Sequence, residues 1–197
     1  MNETSGKDEA HRIEPHHPDD VDAGVDTRTG VEQVIADWPE QPKASAQRLI
    51  KEYGRPDEYS DSRLIWYDTK DGWKRTELSR EEVPHEFPSS HSDFLEQFID
   101  YKVPVEMFTP LAEYDGSVIV DRTKGELSAR CAGTSMNFVA INLAHDIVTG
   151  KRNVQQARDE YTRLYAAYQQ GEHPPYTQGF QFELPRGNTG DPDRATL

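Results

Sequence analysis

The chain has one cysteine, Cys131, in 197 residues, so an internal disulfide framework is excluded. It has no apolar run approaching the roughly 20 residues that cross a membrane. Its first residues, Met1-Asn2-Glu3-Thr4-Ser5, lack the basic and apolar regions of a secretory signal. Positive charge is scarce as well: 22 Lys and Arg stand against 36 Asp and Glu, a net charge of −14. Such a field repels phosphate backbones and anionic headgroups. The expectation is therefore a soluble cytoplasmic protein whose partner is a protein or a small ligand, not nucleic acid or membrane. No cofactor is implied.

What is present is unevenly spread. Hydrophobic residues make up 34% of the chain and charged residues 29%, with a mean hydropathy of −0.89. That is polar for a compact domain, so part of the chain is expected to be unfolded. Residues 1–40 hold eleven Asp and Glu against three Lys and Arg, more than half of the net negative charge. Residues 1–36 read as a disordered acidic tail, and its His11, His16 and His17 as solvated side chains. Residues 37–185 read as the folded domain and 186–197 as a second disordered tail.

Within the domain, Ser45 can cap a helix that runs to Tyr53, with Ala46, Leu49 and Ile50 on one face and Gly54 ending it. Arg63–Tyr67 and Trp73–Leu78 read as a hairpin around Asp71-Gly72. Residues 80–91 read as a polar loop. A helix is expected from about Asp93 to Tyr101, with Phe94, Leu95, Phe98 and Ile99 as its buried stripe and Asp93/Glu96 as a capping box. A short helix starts at Thr109-Pro110. A second hairpin joins Ser117–Asp121 to Glu126–Cys131. Helices follow over Thr134–Thr149 and from Asn153, which Gln156 completes as a capping box. Phe180, Phe182 and Leu184 alternate as an edge strand would. The sum is an α+β fold: antiparallel β-hairpins packed with helices in a single compact domain.

Each candidate for chemistry has a structural counterpart. Cys131 shares a strand face with Leu127 and Ala129, which marks it as a small buried hydrophobe. Against this, a thiol near a helix N-terminus can become nucleophilic. The phosphatase pattern Cys-x5-Arg fails, since position 137 is Asn137. The hydrolase elbow is met only loosely by Ala129-Arg130-Cys131-Ala132-Gly133. The expectation is a buried, structural Cys131. His85, His91 and Asp93 form a weak metal-ligand set, because His-x5-His is not a specific zinc spacing and polar residues before a helix are ordinary caps. Asn137, Asn142 and His145 lie in an otherwise apolar helix, where they either hold it to neighbouring elements or line a ligand pocket. Trp66 and Trp73, with Arg63, Lys74, Arg75 and Arg80, fit an amphipathic hairpin better than a single-strand nucleic-acid platform.

The runs Leu64-Ile65-Trp66-Tyr67, Trp73-Lys74-Arg75-Thr76, His85-Glu86-Phe87-Pro88, Leu95-Glu96-Gln97-Phe98-Ile99-Asp100-Tyr101, Asp115-Gly116-Ser117-Val118 and Gly125-Glu126-Leu127-Ser128-Ala129-Arg130-Cys131 resemble an uncharacterised family of bacterial cytosolic proteins, over about residues 45–170. The resemblance implies no activity, cofactor or partner. The helix–hairpin unit at 45–78 is more weakly similar to small lipoprotein folds of the outer-membrane assembly type, in shape only. The leading expectation is a non-enzymatic binding protein. The alternative is a small hydrolase that uses Cys131 or a His85/His91/Asp93 metal site. Convergence of Cys131, His85 and His91 in one cleft discriminates between them in favour of the enzyme.

Overall fold

The computed structural model describes residues 27–197; the histidines of the acidic tail lie outside them. The chain runs α1 (Thr27–Ala36), α2 (Glu40–Tyr53), β1 (Glu58–Tyr59), β2 (Arg63–Tyr67), β3 (Arg75–His85), β4 (His91–Asp100), α3 (Phe108–Tyr114), β5 (Val118–Asp121), β6 (Glu126–Cys131), α4 (Thr134–Val148) and α5 (Val154–Gln169). The strands form one antiparallel sheet in the order β1-β2-β3-β4-β6-β5. This is the α+β, hairpin-built architecture expected from the sequence. Among the described residues no helix is long and apolar enough to cross a membrane.

Cross-strand rows divide the sheet into two unlike faces. Leu64, Leu78, Leu95 and Cys131 are successive partners across β2, β3, β4 and β6. The next row on that face is Trp66, Thr76, Gln97, Ala129 and Val118. All nine are buried, because helices pack on them. Ala46 and Leu49 of α2, with Val31 and Ile35 of α1 and Trp38, join Leu64, Trp66, Leu78 and Leu95 in one cluster. The other cluster packs α3, α4 and α5 against Ile99, Leu127 and Ala129. The rows of the opposite face, Ile65/Glu77/Glu96/Arg130 and Tyr67/Arg75/Phe98/Ser128/Ile119, are largely polar. There Arg75 lies 3.7 Å over the Phe98 ring and pairs with Glu77 and Glu126. The Trp66/Trp73 hairpin is amphipathic, with both indoles buried and Arg63, Lys74 and Arg75 paired with Glu77 or Glu126.

Several elements differ from the sequence expectation. Residues 93–100 belong to a strand, not a helix: the inward positions are Asp93, Leu95, Gln97 and Ile99, which alternate. Residues 80–85 belong to β3 rather than to a loop. Between Leu78 and Val83, β3 spends five residues where β4 spends two, a bulge that bends β3 and still lets His85 pair with His91. Helix α2 begins at Glu40, before Ser45. Helix α1 lies in the stretch expected to be tail. Phe180 and Phe182 pack on Trp73, Phe138 and His145 without forming a strand. Beyond them, in the stretch read as a C-terminal tail, Thr189 is buried and donates to the Gly125 carbonyl. Gly125 has φ +69°, and a Cβ there would meet the Thr189 backbone at 2.2 Å.

Candidate metal centre at the floor of a cleft

The alternation that turns Leu95 and Gln97 inward does the same for His91 and Asp93 on β4. The register then places His85 directly opposite His91. Cys131 is the last residue of β6, beside Leu95, and the chain leaves the sheet there to enter α4. No further β6 residue covers His91 and Asp93. The space left is a cleft of about 560 Å³. Its lining includes Cys131 and His91, the first turn of α4, Tyr161, Tyr165 and Tyr168 of α5, and Arg48 and Glu52 of α2. Ser89 Oγ donates to Tyr165 Oη at 2.9 Å, which ties the β3–β4 turn to α5.

His85, His91 and Asp93 each present a ligand atom, and these atoms lie within 4.8 Å of one another. Asp93 is 1% exposed. Its Oδ2 accepts a short hydrogen bond from Ser117 Oγ and lies 3.3 Å from His85 Nδ1. Its Oδ1 lies 3.1 Å from His91 Nε2 but has no aligned hydrogen-bond partner. The same His91 nitrogen lies 3.5 Å from Cys131 Sγ. The other ring nitrogen, Nδ1, is 2.8 Å from the Ser89 carbonyl. The second nitrogen of His85, Nε2, lies 3.6 Å from Asp115 Oδ1. Asp115 is itself fixed by the Ser117 N–H at 2.8 Å, and burial pushes its carboxyl above the usual range. The contact with Asp93, and next that with Cys131, pushes the His91 imidazole up to about 11, against the opposing effect of burial.

This arrangement has the features of a metal centre. Each histidine presents one nitrogen to the cluster and turns the other toward a carbonyl or carboxylate, as second-shell partners of metal ligands do. In a tetrahedral zinc site, bonds of about 2.0 Å to nitrogen or oxygen and 2.3 Å to sulfur separate nitrogen from oxygen by about 3.3 Å and nitrogen from sulfur by about 3.5 Å. The 3.1 Å contact of His91 with Asp93 Oδ1 and its 3.5 Å contact with Cys131 Sγ are close to those edges, while the 3.3 Å contact of His85 runs to the other carboxylate oxygen, Oδ2. A cation at their centre also supplies the missing partner for Asp93 Oδ1.

The structure thus brings His85, His91, Asp93 and Cys131 together. Cys131 is buried, as expected, but it also lines the cleft beside an imidazole. The three other candidates lie outside the cluster. Asn137 donates to the Leu95 carbonyl and Gln97 Oε1, fixing α4 to β4. Asn142 donates to the Tyr176 and Gly179 carbonyls and accepts from the Gln181 N–H, so it holds the C-terminal segment. His145 contacts the Tyr101 hydroxyl and stacks on Phe182. Sequence reasoning did not find Ser117 or Asp115. They are polar residues ahead of a short apolar strand, and only the fold carries them to His85 and Asp93. No protein-family model matches this chain, and neither a curated protein nor a solved structure matches it.

Proposed function

We propose that the chain is a metal-dependent hydrolase in which His85 Nδ1, His91 Nε2 and Asp93 hold one zinc-class cation at the cleft floor. The observation that carries the reading is Asp93, a deeply buried carboxylate whose Oδ1 lacks a hydrogen-bond partner and faces an imidazole nitrogen at ligand–ligand distance. A buried carboxylate oxygen left without a hydrogen bond is costly, and a cation relieves that cost. Three protein ligands beside an open cleft is the pattern of catalytic rather than structural zinc, where a bound water ionises near pH 7. Convergence of Cys131, His85 and His91 in one cleft is the outcome expected of an enzyme; Cys131 and His91 line the cleft, and His85 is paired with His91 behind it. The cleft volume suits a small substrate with a hydrolysable ester, amide or phosphoester.

The test is native mass spectrometry of the purified chain before and after zinc addition, with hydrolysis of activated esters and phosphoesters as the second readout. One zinc per chain, lost together with hydrolysis in His91→Ala, is expected. A wild-type protein that carries no metal and takes up none overturns the reading.

A further inference from the structure

We propose that Cys131 is the fourth, displaceable ligand of this centre: its thiolate closes the cation's open position at rest and is exchanged when a ligand enters from the cleft. The inference rests on the metal reading above and adds to it the way the site opens. Cys131 Sγ stands 3.5 Å from His91 Nε2, the separation of sulfur and nitrogen on one tetrahedral zinc. Among these four side chains, Cys131 and His91 line the cleft, whereas His85 and Asp93 do not. The thiol therefore stands between the centre and the cleft. Cys131 also lies outside the tightest group, His85, His91 and Asp93. Its sulfur is close to His91 but not within 4.8 Å of all the other ligand atoms, so it closes the tetrahedron only by rotating inward, as a ligand that comes and goes does.

The position has a structural origin. Cys131 ends β6, and the chain passes through Ala132 and Gly133 before α4 begins at Thr134. His91 and Asp93 are held inside the β3–β4 pairing, and Asp93 is also held by Ser117. Thiolate with imidazole also selects zinc-class ions over magnesium, calcium or manganese, which prefer oxygen ligands.

The experiment uses cobalt(II) as a spectroscopic substitute for zinc in the intact chain. Cobalt bound by the centre gives visible d–d absorption, and thiolate ligation adds a sulfur-to-cobalt charge-transfer band in the near ultraviolet. Wild-type protein is expected to show both, and Cys131→Ser to keep the first and lose the second. Acetohydroxamate, a small metal-chelating probe, added to the wild type should remove the charge-transfer band while d–d absorption persists. Visible absorption without a charge-transfer band in the wild type overturns fourth-ligand status and leaves the metal centre standing. A charge-transfer band that survives saturating acetohydroxamate overturns displaceability. Absence of any cobalt absorption overturns the metal reading itself.

Discussion

Asp93 Oδ1 and His91 Nε2 are 3.1 Å apart on the same face of β4, two residues from each other, yet no N–H is aligned between them. The pair defines one edge of the proposed centre. Zinc at one hundred times its dissociation constant should stabilise the protein by about 2.7 kcal/mol. At about 2–4 °C per kcal/mol for a domain of this size, the melting temperature should rise by about 5–10 °C. Asp93→Asn should abolish that rise and leave the metal-free protein no less stable than the metal-free wild type, because the amide removes a buried charge. Differential scanning fluorimetry with zinc and with a chelator checks both halves. A zinc-dependent rise of equal size in Asp93→Asn eliminates Asp93 as a ligand.

Much of the fold was legible in the sequence because local signals agreed with their tertiary use. Asp71-Gly72 marks the β2–β3 turn, and Asn153 with Gln156 forms the capping box of α5. Strand β4 was not legible, for a physical reason. Two of its inward positions, Asp93 and Gln97, are polar, and they are buried only because Ser117, Thr76 and Asn137 bond to them. What remains, Phe94, Leu95, Phe98 and Ile99, has helical spacing. The same misreading made the set His85, His91 and Asp93, which the sequence does offer, look weak. Asp93 passed for a helix cap, and His85 and His91 are neighbours through strand pairing rather than through any recognisable spacing. Cys131 comes from a strand forty residues later, so its proximity to His91 is visible only in the sheet order.

Glu126 supplies the pH dependence. Burial pushes its carboxyl up, but hydrogen bonds from Lys74 and Arg75 outweigh this and hold it below the ordinary value. A depressed folded-state pKa contributes stability above the unfolded-state value, about 4.3 for Glu. That contribution is lost as pH falls through the folded value. Urea midpoints should therefore drop on acidification through this range, and Glu126→Gln should flatten that drop while lowering stability at neutral pH. An unchanged acid profile in the variant sinks the assignment.

Asn142 should act on the C-terminal segment. Its side chain makes three hydrogen bonds, to Tyr176, Gly179 and Gln181. Asn142→Leu leaves these backbone groups without partners, at about 1–3 kcal/mol for a buried unsatisfied group. Hydrogen exchange should accelerate at the Gln181 amide and its neighbours while β4 and β6 stay protected. Uniform acceleration across the sheet speaks instead for a general loss of packing.

Deletions at the N-terminus separate α1 from what precedes it. Removing residues 1–26, which are rich in charge and poor in apolar surface, should leave the melting temperature unchanged. Removing residues 1–36 takes away Val31 and Ile35, both buried against the α2 cluster. Each buried side chain is worth about 1.5–3 kcal/mol, so the longer deletion should lower the melting temperature by several degrees or more. Equal melting temperatures for the two truncations contradict the docking of α1.

Cys131 gives the last prediction, because a core thiol and a metal ligand respond oppositely to chelation. A thiol that only fills the core reacts slowly with iodoacetamide until the protein unfolds, whether or not zinc is present. A thiolate bound to zinc at the cleft floor is protected by the metal and becomes accessible when the metal leaves. We expect native protein with zinc to be alkylated slowly at Cys131, and the same folded protein treated with a chelator to be alkylated at least about tenfold faster, since about 1.4 kcal/mol of lost protection is a tenfold change in an opening equilibrium. His91→Ala should react at the fast rate with or without zinc. Mass spectrometry of the alkylated peptide gives the rates, and circular dichroism confirms that the chelated protein remains folded. Identical slow rates in all three samples return Cys131 to the role of core filler.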